Sequence, residues 1–156
     1  MERIIKSIFS SKYSIHDLSR CKGEGNELLA RFNMPLELGI AMARRHMQQR
    51  KSEQHDWLVL VPEGHLYLHF ISDLSGFDPY RYDGTENALI LKVMFWLRSR
   101  PDAVPAVVEP QDVIAAFPSF NEELAKRIQQ WGGRENTPWG DIVLAASKTV
   151  PTPLLP

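Results

Sequence analysis

The run Asp56-Trp57-Leu58-Val59-Leu60-Val61-Pro62 constrains the fold more than any other part of the chain. Its apolar residues are consecutive rather than alternating, so both sides of the segment need burial, and it stops at a proline that cannot donate to a ladder. A strand covered on both faces belongs inside a parallel sheet, and parallel neighbours need long crossover connections, usually helical. A second strand is predicted from Tyr13 to Ser19, running out into a polar loop that Gly23 and Gly25 mark as irregular. A helix is predicted between the two strands. Pro35 suits its first turn, with Asn33 or Met34 at the cap, and Leu36, Ile40, Ala43 and Met47 recur as one apolar stripe.

The remaining pattern is helical. Ile4, Ile5, Ile8 and Phe9 set a short helix from Glu2 to Ser10, and a further helical stretch is expected over 65–74, followed by a turn-rich loop over 75–80. Thr85 is placed to cap a helix through Arg98, with Ala88, Leu91, Met94 and Phe95 inward. Beyond a connector at 101–105, helices are expected near 111–117, 119–131 and 139–148, with a proline-rich tail over 150–156. This organisation is an α/β fold within a single domain over 1–149, its first 100 residues α/β and the rest a helical extension. Two parallel strands make a poor sheet by themselves. A further strand is therefore expected from outside the segment, either ahead of the first helix or from another copy, which makes a homo-oligomer a natural outcome.

Composition removes several classes of function. A chain of 156 residues with a formal charge of −1 lacks the basic excess of a dedicated nucleic-acid binder. Its one basic stretch, Arg44 to Lys51, follows an apolar helical pattern and reads as a helix C-terminus, where cations suit the dipole. No apolar run reaches the ~20 residues that span a bilayer, and the start carries no secretory signal, so no membrane association and a cytoplasmic location are expected. Cys21 is the single cysteine, which excludes an intrachain disulfide and a cysteine-rich zinc site. Its neighbours Arg20 and Lys22 would favour the thiolate, but no base is located beside it. His65 and His69 stand at i and i+4 without a third ligand in the spacing, so no metal is implied.

Candidate chemistry gathers where a strand ends and a helix begins. Ligands of open α/β sheets bind beyond the carboxyl ends of the strands. Asp17, His16 and Ser19 close the first strand, and Glu37 stands in the first turn of the following helix, where the dipole favours an ionised carboxylate. Such a carboxylate suits a glycosyl nucleophile or a stabiliser of an oxocarbenium-like transition state. Gly39 inside the helix suggests close approach by another backbone or a ligand. Strand alternation turns His16 away from Asp17, which makes His16 structural. Phe77, Tyr80 and Tyr82 cluster in the turn-rich loop, available for packing or for stacking on a base. The same carboxylates also fit a plainer role, Glu37 as a dipole partner and Asp17 as a turn residue.

The segments Ile15-His16-Asp17-Leu18-Ser19-Arg20 and Arg31-Phe32-Asn33-Met34-Pro35-Leu36-Glu37-Leu38-Gly39 resemble a group of bacterial proteins similar to the nucleoside 2-deoxyribosyltransferases and, more distantly, to TIR-domain NAD hydrolases. The likeness covers about residues 1–100 and is most specific over 31–41. In the transferases a Glu-Leu-Gly-x-Ala segment opens a helix and its Glu attacks the anomeric carbon. Glu37-Leu38-Gly39-Ile40-Ala41 matches that pattern.

The resemblance thus implies a three-layer flavodoxin-like (Rossmann-like) parallel sheet and cleavage or transfer at an N-glycosidic bond of NAD, a nucleoside or a nucleotide, without a bound cofactor. Glu37 would be the nucleophile and Asp17 the residue that positions the sugar; Ser19, Asn33, Asp73 and Asp78 are further candidate substrate contacts, and the resemblance assigns the segment over 72–78 no role. Relatives carry a central strand and a glycine- or proline-containing loop ahead of the Asp-bearing strand, whereas this sequence starts at the helix after them. That departure leaves a second expectation open, a non-catalytic nucleotide-sensing or protein-interaction module of a bacterial defence or signalling system.

Overall fold

The computed structural model describes residues 1–19, 33–48, 54–64, 78–100 and 108–149. The chain divides into two compact units, Met1–Ala88 and Leu89–Pro156. The first contains α1 (Glu2–Ser10), β1 (Tyr13–Asp17), α2 (Asn33–Met47), β2 (Asp56–Pro62) and β3 (Tyr80–Tyr82). Helix α3 (Glu86–Arg98) runs across the division, and α4 (Pro110–Gln130) and α5 (Trp139–Thr149) belong to the second unit. The molecule is thus a mixed α/β protein with a small parallel sheet and flanking helices.

The sheet has three strands in the order β1-β2-β3. Both pairings are parallel, β1 with β2 from Tyr13↔Asp56 to Asp17↔Leu60, and β2 with β3 from Leu60↔Tyr80 to Pro62↔Tyr82. The consecutive apolar residues of β2 occupy the central strand, and Leu58, Val59, Leu60 and Val61 are all buried. Alternation sends Val59 and Val61 to one face, where they pack with Leu18 and with Leu38 of α2. Fully burying Leu38 contributes about 2 kcal/mol.

The third strand escaped the sequence reading. Tyr80-Arg81-Tyr82 is too short to show a period of two and sits between Pro79 and Asp83-Gly84, so its surroundings read as a turn.

Helix α2 forms as expected but presents a different face. Its buried residues are Leu38, Ala41 and Arg44, whereas Leu36 is 50% and Met47 73% exposed. The apolar stripe through Leu36, Ile40, Ala43 and Met47 is therefore not the inner one. The inward row is set by Arg44, whose guanidinium donates to the carbonyls of Ile8 and Ser11 at the end of α1. Ile8 O otherwise accepts only the Ser11 N–H at 3.3 Å, and a buried cation there adds a donor at the negative end of the helix dipole. Periodicity reads apolar residues as inward and cannot foresee a buried arginine.

Thr85 caps α3 as expected, its Oγ1 accepting from the Ala88 N–H at 3.2 Å, with Asp83 bracing Thr85 through its own Oδ1 at 2.6 and 2.9 Å. Those two bonds hold the Asp83 carboxyl below its usual range. The inner residues of α3 are Met94 and Trp96, while Leu91 and Phe95 are exposed, contrary to the expected stripe. This helix is apolar nearly all round, so spacing alone does not select a face.

In the second unit α4 runs unbroken through Pro118, where two helices were expected. Pro118 is exposed and forfeits one backbone bond, a loss that a helix of 21 residues absorbs. Helix α4 ends in a Schellman turn: Gly133 N–H reaches Ile128 O, Gly132 N–H reaches Gln129 O, and Gly132 takes the φ of 71° that the turn requires. Arg127 then joins α4 to α5 through Asp141 at 2.6 Å, while also bonding Glu123 at 3.0 Å within its own helix.

Candidate functional site

The packing of Leu38 with Leu18 and Val61 brings the first turns of α2 to the carboxyl end of β1 and β2. Asp17, Ser19 and Glu37 consequently share that end of the sheet, where α/β folds bind ligands. Asp17 is half-buried; its Oδ1 accepts the Ser19 backbone N–H at 2.9 Å, closing a tight Asx-type turn. Its Oδ2 faces the hydroxyl of Tyr82 at 3.5 Å. Tyr82 itself is buried, and burial first, then the neighbouring Asp17 carboxylate, push its phenol above the ordinary range. It is therefore a protonated donor at neutral pH.

Glu37 is half-buried and makes no hydrogen bond or ion pair among the described residues. It follows Asn33 by four positions within a helix that already includes Asn33, so it stands in the second turn rather than the first. The dipole argument for its ionised form weakens accordingly, because that field is felt mainly in the terminal turn. Asn33, expected at the cap or as a substrate contact, is exposed at the start of the described helix. Asp78 is exposed just ahead of β3, and among the described residues no hydrogen bond or ion pair joins it to Asp17. Asp73 lies outside the described residues, as do Cys21, His65, His69 and Phe77.

Among the described residues Gly39 meets nothing within 4 Å of the Cβ it lacks, and its backbone is helical, so no close approach by a described backbone explains it. Gly39→Ala is expected to stabilise the fold by about 1 kcal/mol through helix propensity. A urea titration showing loss of stability instead would mean that a neighbour needs the space.

A second polar constellation was missed by the sequence reading. At the amino end of the sheet Ser14 Oγ lies 2.8 Å from Nε2 of both His16 and His55. His55 Nδ1 lies 2.8 Å from Arg44 NH1 and 2.8 Å from Ser11 O. Arginine has no acceptor, so the Arg44 contact requires a bare Nδ1, whereas the Ser11 contact requires a protonated one. In the first tautomer His55 Nε2–H donates to Ser14, and the Ser14 hydroxyl donates on to His16. Both imidazoles are buried, and His16 Nδ1 has no partner among the described residues. Burial and the neighbouring His55 lower His16 to about 4, and burial also lowers His55.

A serine between two imidazoles has the elements of an activated nucleophile. Its position opposes that role, because both rings are enclosed and Ser14 itself lies near the amino end of β1, away from the ligand crevice. The group links β1, β2, α1 and α2 as a polar core. No sequence spacing signals it, since His55 and Ser14 meet only through strand pairing.

An open concavity of about 790 Å³ runs along α1, lined by Glu2, Arg3, Lys6, Ser7, Phe9 and Ser10. Its lining comes from one helix and includes none of the candidate residues. Among the described residues no group of three possible metal ligands occurs, and no helix is long and apolar enough to cross a membrane. Comparison of the chain with protein-family models, curated proteins and solved structures gives no match in any of the three.

Proposed function

We propose that the chain is a nucleoside- or nucleotide-handling domain acting at an N-glycosidic bond, with its site at the carboxyl end of the sheet. The observation that carries this reading is the seating of Leu38 against Leu18 and Val61, which sets Glu37 and Asp17 at one end of two parallel strands. Glu37, without a partner of its own among the described residues, supplies the carboxylate for a glycosyl nucleophile or oxocarbenium stabiliser. Asp17, held by Ser19, supplies a fixed acceptor for the sugar. The likeness of Glu37 to Ala41 to the transferase segment adds to this assignment.

The sheet belongs to the three-layer Rossmann-like class on the same reading. A sequential run of three parallel strands is part of both the dinucleotide-fold and the flavodoxin-like order.

Glu37→Gln keeps size and removes charge. Wild-type protein incubated with NAD, nucleosides and nucleoside monophosphates should release free base, and the variant should lose on the order of a hundredfold or more of that rate. Undiminished release by the variant would sink the assignment.

A second reading, a module that binds a nucleotide or a protein without turnover, is favoured by the exposed Leu36 and Met47 on α2. Thermal stabilisation by one of those compounds with no base released would select it.

A further inference from the structure

We propose that Arg44 and His55 form an acid-opened latch on α1, in which one proton on His55 changes the donor at Ser11 O and releases the guanidinium. Both side chains reach that carbonyl, Arg44 through NH1 and His55 through Nδ1 at 2.8 Å, and the two nitrogens stand 2.8 Å from each other. A guanidinium can only donate, so this close pair is a bond only while Nδ1 is bare. In that state Arg44 serves Ile8 O, Ser11 O and the ring together. A proton on Nδ1 turns the ring into a donor to Ser11 O and sets two cations against each other in an enclosed site. The imidazolium keeps two acceptors, Ser11 O and the Ser14 hydroxyl, and is fully buried. Arg44, slightly exposed, is the group that can yield.

The exchange is confined to the Arg44 side. His55 Nε2–H donates to Ser14 before and after protonation, so the relay to His16 is undisturbed. Among the described residues the charged groups around the ring are Arg44 and Arg45 from α2, Asp56 from β2 and the titratable His16 from β1, while the end of α1 offers carbonyls. Asp56 is itself engaged by Arg45 at 2.9 Å. Burial lowers His55 most; the Ser11 carbonyl and Asp56 raise it and the two arginines lower it, leaving it below the ordinary imidazole range. The latch is therefore closed at neutral pH and opens on acidification.

Helix α1 depends on this link. Its nine residues are too few for a stable isolated helix, and Ile8 is its one buried side chain, with Ile4, Ile5 and Phe9 exposed. Arg44 also lies over the Phe9 ring at 5.9 Å, a contact that leaves with the guanidinium. α1 thus loosens before the sheet does, which separates the latch from a general loss of stability in acid.

Amide exchange read as the protection of α1 relative to β2 provides the test, since a global effect of His16 moves both elements together. Between pH 7.5 and pH 5 that ratio should fall about tenfold in wild type, the size of one lost charged hydrogen bond. In His55→Asn, whose amide stands near the place of Nδ1 and does not titrate, it should stay constant. A constant ratio in wild type, or the same fall in the variant, overturns the latch. A measurement on wild type alone covers a variant that does not fold. Long-range ¹H–¹⁵N spectra should show His55 Nδ1 bare at neutral pH and gaining its proton in step with the loosening of α1; a protonated Nδ1 at neutral pH overturns the proposal equally.

Discussion

Arg44→Met should destabilise the first unit by roughly 1–3 kcal/mol, because it removes the charged donor that two carbonyls at the end of α1 share and keeps only an apolar stem in its place. Arg44 is 9% exposed and donates to Ile8 O and Ser11 O, the acceptors that end α1, besides contacting His55 Nδ1. Among the described residues the other contacts to those carbonyls are the Ser11 N–H on Ile8 O and His55 Nδ1, which approaches Ser11 O. The loss should appear as a lower urea midpoint with an unchanged slope. It should also appear as faster amide exchange in α1 than in β2, since α1 loses its C-terminal anchor. Arg44→Lys should recover part of the loss, because all three contacts come from the single nitrogen NH1, whose place an ammonium on a shorter stem reaches only in part. A midpoint equal to wild type in Arg44→Met would mean that water serves those carbonyls and that the arginine contributes only bulk.

Acid should weaken the same region through His16. The folded-state value of about 4 lies below the 6.5 of an unperturbed imidazole, so between those values the unfolded chain binds the proton and the folded chain does not. Stability is therefore fully present above pH 6.5, declines as pH falls toward about 4, and takes no further contribution from this group below that. Over the whole window the loss amounts to roughly 3 kcal/mol. His55 is shifted in the same direction and steepens the decline. Carboxylates with depressed values also lose stability in acid, so the diagnostic comparison is His16→Gln, which keeps a polar group toward Ser14 without the titration. Urea midpoints at neutral pH and near pH 5 should lie closer together in the variant than in wild type. An equal separation in both proteins would count against a neutral buried His16.

The sequence carried most of the element list. The unalternating run in β2, the periodicity of α1 and the Thr85 cap of α3 are local signals, and each element formed where its signal lies. Helix faces were legible only in part. In α2 the inner row contains Arg44, and in α3 an all-round apolar surface offers several equivalent stripes. Both outcomes depend on what stands opposite the helix, which spacing along one segment does not encode. β3 was hidden because three residues between a proline and an Asp-Gly turn carry no usable period.

The candidate site divides in the same way. Asp17 at a strand end and Glu37 near a helix start were readable from order alone, because a strand followed by a returning helix brings those ends together. Tyr82 was readable only as an aromatic in a turn, since its meeting with Asp17 spans 65 positions of sequence and depends on the pairing of β3 with β2. The Ser14-His16-His55-Arg44 group has the same origin, joining an edge strand, the residue ahead of the central strand and a helix.

What the sequence determined by itself is the α/β class and which residues stand at the carboxyl end of its strands, the end at which α/β sheets bind ligands. Both follow from short-range periodicity and the direction of parallel strands. Tertiary structure alone decided which polar side chains are enclosed and which face one another. Burial and hydrogen bonding depend on long-range pairing, and a buried arginine or histidine is tolerated only once its particular partners are in place.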